Sequence, residues 1–211
     1  MNLNESAYKF FNSTDQKKIN RRTFFTQSVG YTVGLTLLAF PGIITEVLAA
    51  KGYKSKEEIF KELDELVDKY FPRFGTCSQT SFYALNKVFE LNAEEFVKSL
   101  VSMPGIALRG ETCGSVSGSL LAIAMVYEED IFDDERKRLS RQPSFKFCSK
   151  FEDKYGTTRC RDVIESVTGK KYNLIKPEDY KLLGEKDVYK HCPGIVKDAV
   201  HIAAEIILEK T

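Results

Sequence analysis

Gly114 and Gly118 stand four residues apart in the run Cys113-Gly114-Ser115-Val116-Ser117-Gly118-Ser119, which passes without a break into the apolar stretch 120–127. That stretch predicts a buried helix. Glycine costs about 1 kcal/mol in a helix interior, so the pair requires a compensation: a neighbouring helix, or a ligand, that comes close to the backbone. A helix start also exposes unpaired backbone N–H groups and the positive end of the peptide dipoles, which favour a thiolate over a thiol. Cys113 lies where the loop through Arg109 and Gly110 meets this helix, and it is therefore placed to react or to ligate.

Three other cysteines fall where helices are expected to begin. Cys77 follows Gly75-Thr76, Cys160 follows Thr157-Thr158-Arg159, and Cys192 precedes Pro193, a residue favoured at the first helical position. Cys148 differs. It sits between Phe145 and Phe151 at helical spacing and reads as a small hydrophobe. Successive cysteines are 36, 35, 12 and 32 positions apart, so there is no Cys-x-x-Cys pair, zinc knuckle or haem-attachment motif, and any shared site must be assembled by the fold.

At 211 residues the chain suits one domain plus an extension. The first 50 residues carry five Lys/Arg against three acidic residues, leaving 26 basic and 27 acidic in the rest. A near-neutral body has no electrostatic footprint for nucleic acid. Arg21-Arg22, with Phe24 two residues on and a Gly/Thr-diluted apolar run after Ser28, resembles a twin-arginine export signal, with small residues at Ala49-Ala50 suited to cleavage. Residues 1–50 are accordingly expected to be a signal segment handled by the twin-arginine translocase. Export to the periplasm or another extracytoplasmic space follows, with membrane attachment only through an uncleaved leader. That route carries folded proteins, often with a cofactor already inserted. Pro41 and Glu46 argue against a membrane-spanning helix there.

Residues 51–211 read as a single all-α bundle, since no segment shows sustained strand alternation. Ser55-Lys56-Glu57-Glu58 predicts a capping box, followed by Ile59, Leu63, Leu66, Val67 and Tyr70 at helical spacing, with Phe71-Pro72 as the stop. Asn92-Ala93-Glu94-Glu95 predicts a second capping box. The charge run 133–138 reads as a helix end or linker, and Phe145, Cys148, Phe151 and Tyr155 as one face of a helix closed by Gly156. A polar connector spans 168–191, and the last helix, opened by Cys192-Pro193, turns Val196, Ala199, Val200, Ala203, Ile206 and Ile207 inward.

In order and context, Cys77 with Ser78-Gln79, Cys113-Gly114-x-x-x-Gly118, the segment Tyr155–Arg161 with Cys160, and Cys192-Pro193 resemble the redox-active family named for its C_GCAxxG_C_C pattern, over about residues 55–210. Where that family has Cys-Gly-Ala-x-x-Gly, this chain has Ser115; the change adds a hydroxyl and the means for a new hydrogen bond. The domain is also similar to the non-haem portion of split-Soret cytochromes, which implies an iron–sulfur cluster and, with no haem-binding motif here, no haem. The first expectation is a two-iron cluster held by Cys77, Cys113, Cys160 and Cys192 for electron transfer. The alternatives are metal-free thiol–disulfide chemistry with Cys113 as the attacking thiol, a helical binding module stapled by two disulfides, and zinc. His191 could hydrogen-bond a ligated sulfur, and His201 reads as a packing or surface residue. No Ser/His/Asp set, phosphate loop or carboxylate pair points to a hydrolase or kinase.

Overall fold

The computed structural model describes residues 54–127, 134–173, 175–176, 178–179, 181 and 188–210, with the side chains of 136, 137, 140, 188 and 189 left out. The chain divides into units Met1–Glu46 and Val47–Thr211. The twin-arginine-type leader expected over 1–50 lies outside the described residues.

The described body is all-α, with no strand among its residues. Helix α1 (Lys56–Phe74) starts at the expected capping box: Ser55 Oγ accepts from Glu58 N–H at 3.1 Å, and Glu58 Oε2 from Ser55 N–H at 2.7 Å. It buries Ile59, Leu63, Val67 and Phe71. It does not stop at Pro72. The helix continues to Gly75, whose φ of 65° makes the left-handed cap. Pro72 removes the bond to the Asp68 carbonyl, and both residues are exposed, so water can take its place.

Helix α2 (Cys77–Val88) buries Phe82 and Leu85 together with an unexpected polar set, Ser78, Gln79, Thr80, Ser81 and Asn86. These polar groups tie down the next segment. Ser78 Oγ donates to the Leu100 carbonyl at 2.7 Å, Gln79 Nε2 to the Val97 carbonyl at 3.0 Å, and Asn86 Oδ1 accepts from Ala93 N–H at 3.0 Å. The segment they hold, Glu94–Ser102, is a 3-10 helix. Its expected capping box is absent, because Asn92 Nδ2 bonds to the Glu90 carbonyl instead.

Next comes one turn of left-handed backbone, Gly105–Leu108, with φ of 54°, 45°, 54° and 62°. Left-handed turns cost L-residues about 1–2 kcal/mol each, so Ile106, Ala107 and Leu108 are strained. Bonds from Leu108 N–H to the Pro104 carbonyl (2.9 Å) and from Glu111 N–H to the Gly105 carbonyl (3.1 Å) hold the turn.

Helix α3 (Gly114–Tyr127) packs against α2 through its glycines. A Cβ on Gly118 would run into Ser81 Oγ and the Ser78 carbonyl oxygen, and would lie 3.1 Å from Phe82 N. Close helix approach is thus the compensation the glycine pair requires. Helix α4 (Asp134–Tyr155) buries Phe147 and Phe151, whereas Phe145, expected on the same face, is 75% exposed. Gly156 closes it, donating to the Glu152 carbonyl at 2.7 Å.

Helix α5 (Cys160–Thr168) follows, and α6 (Val188–Leu208) touches each of α1 to α5. Helix α6 buries all six residues expected to turn inward. It begins four residues before Cys192, so Cys192-Pro193 lies inside the helix rather than opening it. Among the described residues no helix is long and apolar enough to cross a membrane.

Candidate functional site

Three of the four cysteines sit where a helix begins. Cys77 and Cys160 are the first residues of α2 and α5, and Cys113 immediately precedes α3, its carbonyl accepting from Ser117 N–H at 3.1 Å. A short antiparallel pairing brings two of these starts together. Thr112 faces Arg159, with Cys113 N–H donating to the Thr158 carbonyl at 2.8 Å, Cys160 N–H to the Glu111 carbonyl at 2.5 Å, and Arg161 N–H to the Gly110 carbonyl at 3.2 Å. The left-handed turn lies against this pairing: a Cβ on Gly105 would stand 3.1 Å from Gly110 N and 3.4 Å from Cys160 Cβ.

The α2–α3 contact supplies the third cysteine. A Cβ on Gly114 would lie 2.5 Å from Cys77 Sγ, so this glycine leaves the space the sulfur fills. There Cys77 and Cys113 lie near enough that each is the strongest influence on the other's ionisation. Cys192, on α6, reaches the other three through charge rather than contact. Cys113 and Cys160 are buried, Cys77 and Cys192 half-buried, and all five cysteines are free thiols.

Cys113 is the centre of the arrangement. Its sulfur shares a hydrogen bond with the Ser115 hydroxyl at 3.0 Å, and the neighbouring Cys77 thiol and the backbone N–H groups of Ser115 and Val116 favour its ionised form. Cys77 is the largest of these influences, and together they outweigh burial and lower the thiol from 9.0 to about 7. That neighbour is affected in the opposite sense. Cys77 is raised well above 9.0 by its neighbour Cys113, then by burial and the charge of the surrounding sulfurs. Burial, then the charge of Cys113, pushes Cys192 up to about 12; Cys160 is raised for the same reasons, with Cys192 adding to them.

The other residues singled out in the sequence fall elsewhere. Cys148 is half-buried on α4, raised by burial and by Glu152 with no sulfur among the causes. His201 stacks on Phe60, centroids 4.1 Å apart, and its Nε2 lies 2.9 Å from Asp64 Oδ1 but out of line for a hydrogen bond. It is a packing residue. His191 is exposed. Ser119, one turn beyond Ser115, is fully buried with an unpartnered hydroxyl. Sequence reasoning missed Ser78 and Gln79 as anchors of the cysteine-bearing helix; the adjacent pair of polar residues after Cys77 was the available signal.

Among the described residues no group of three or more His, Cys, Asp or Glu side chains is set to hold a metal ion. Neither a curated protein nor a solved structure matches the chain. A family pattern does match, over residues 75–206, which takes in α2 through most of α6 and all four of these cysteines. The chain belongs to the family described as "Putative redox-active protein (C_GCAxxG_C_C)".

Proposed function

We propose that this redox protein holds an iron–sulfur cluster of the two-iron type through Cys77, Cys113, Cys160 and Cys192, and that it transfers single electrons. The observation that carries the reading is that cysteines 36, 47 and 32 positions apart all come within reach of one another's charge, while Cys148 does not. The donor set fits, since four thiolates are the usual ligand complement. When bound, such a cluster takes up and returns one electron at a potential set by its hydrogen bonds and solvent exposure. The chain's own part is to exclude water at Cys113 and Cys160, to leave room for the Cys77 sulfur at Gly114, and to aim N–H groups at Cys113.

The test is protein purified without oxygen, which should be coloured and contain iron and acid-labile sulfide, both lost in Cys113→Ser. Unchanged colour in that variant overturns the ligand assignment.

The mutual influence of Cys77 and Cys113 on each other's ionisation supports a second reading, metal-free thiol–disulfide exchange. Cys113 thiolate would attack a substrate disulfide and release one sulfur as a thiol. Cys77 would then displace the second sulfur, leaving a Cys77–Cys113 disulfide and a reduced substrate. A colourless protein whose thiols oxidise reversibly selects this chemistry. Thiols that appear only after unfolding and reduction exclude both.

Export through the twin-arginine translocase belongs to the same proposal, because a site built from distant segments is complete only in a folded chain. Replacing Arg21 and Arg22 together by lysine should leave the protein in the cytoplasm, as read by cell fractionation; unchanged export overturns the assignment.

A further inference from the structure

Ser115 lies fully buried in the first turn of α3, its hydroxyl 3.0 Å from Cys113 Sγ. A protonated thiol can either give or accept that hydrogen. A thiolate, free or bound to metal, can only accept, so the hydroxyl becomes the donor whenever the sulfur carries negative charge. Adding an electron to a thiolate-ligated centre, or opening a disulfide, increases the negative charge on the Cys113 sulfur. We propose that Ser115 is a positioning residue that raises the reduction potential of the couple in which Cys113 takes part, by donating to its sulfur more strongly in the reduced state than in the oxidised one. The inference rests on the redox reading above but not on the choice between cluster and dithiol, since the sign is the same in both.

Ser119 provides the control. It is one helical turn further along α3, equally buried, and its hydroxyl has no partner. Removing Ser115 Oγ takes away a hydrogen bond to a charged group, whereas removing Ser119 Oγ takes away an orphan. The second change leaves stability equal or improved.

The experiment compares wild type, Ser115→Ala, Ser119→Ala and Ser115→Thr, which keeps the hydroxyl. If the wild type contains iron and acid-labile sulfide, the midpoint potential is measured by dye-mediated titration; if not, the Cys77/Cys113 couple is equilibrated with reduced and oxidised glutathione.

A hydrogen bond to a charged group is worth about tenfold in the equilibrium constant. Ser115→Ala should therefore lower the potential by about 59 mV for a one-electron couple, or about 30 mV for a two-electron couple. Ser119→Ala should not move it, and Ser115→Thr should restore it. A Ser115→Ala protein with wild-type potential, or an equal fall in Ser119→Ala, overturns the proposal. Should Ser115→Thr not fold, the Ser115→Ala and Ser119→Ala pair decides the matter alone. A wild type with neither couple overturns the redox reading itself, an outcome distinct from a couple that Ser115 fails to shift.

Discussion

Cys77 and Cys113 are the same side chain, yet their neighbourhoods drive the two thiols in opposite directions. A consequence for stability follows in the metal-free, reduced protein. Cys113 is lowered from 9.0 to about 7 on folding, so between those values the unfolded chain binds more protons. Its contribution is complete above pH 9 and is lost as pH falls through about 7. Cys192, raised to about 12, acts in reverse: its contribution is complete below pH 9 and is lost as pH rises toward 12. These thiols together place maximum stability near pH 9, which urea midpoints across the range will check. Cys113→Ala should flatten the acid side of that curve. The helix-start placing of Cys77, Cys113 and Cys160 was legible from Gly, Thr and polar residues before apolar runs. The partner of Cys113 was not, because the α2–α3 crossing selects it and no local pattern encodes a crossing.

At the scale of the helices, the same substitution should have opposite signs at different glycines. A Cβ on Gly118 meets the α2 backbone, and one on Gly114 meets Cys77 Sγ, so Gly→Ala at either should destabilise by about 1–3 kcal/mol despite the better helix propensity. Gly114→Ala should in addition lower iron content. A Cβ on Gly194, in α6, meets nothing within 4 Å, and Gly194→Ala should stabilise by about 1 kcal/mol. Thermal and urea unfolding of the three variants give the comparison.

Elements with strong apolar periodicity, α1 and α6, were legible in the sequence together with their inward faces. The 3-10 helix was not, because its position depends on Ser78 and Gln79 reaching its carbonyls from another element. Nor was the left-handed turn, where Ile106 and Ala107 hold a conformation against their own preference.

For the molecule as a whole, the absence of strand alternation was enough to give an all-α body, and the Ser55 capping box located its first described helix. How the helices meet was beyond a single sequence, and with it the gathering of the cysteines. The buried residues described run from Ile59 to Ile207. A chain beginning at Lys54 should therefore still unfold cooperatively by circular dichroism and, under the cluster reading, keep the iron-to-sulfide ratio of the full protein, and loss of either would tie the first 53 residues to the body's stability. Helix α6 carries Cys192 and touches each of α1 to α5. No fragment lacking it can present all four of the proposed ligand cysteines, so under the cluster reading the centre would form only when the last large piece docks. Occupancy would then act as a certificate of completed assembly, issued before any gatekeeper that admits only finished proteins.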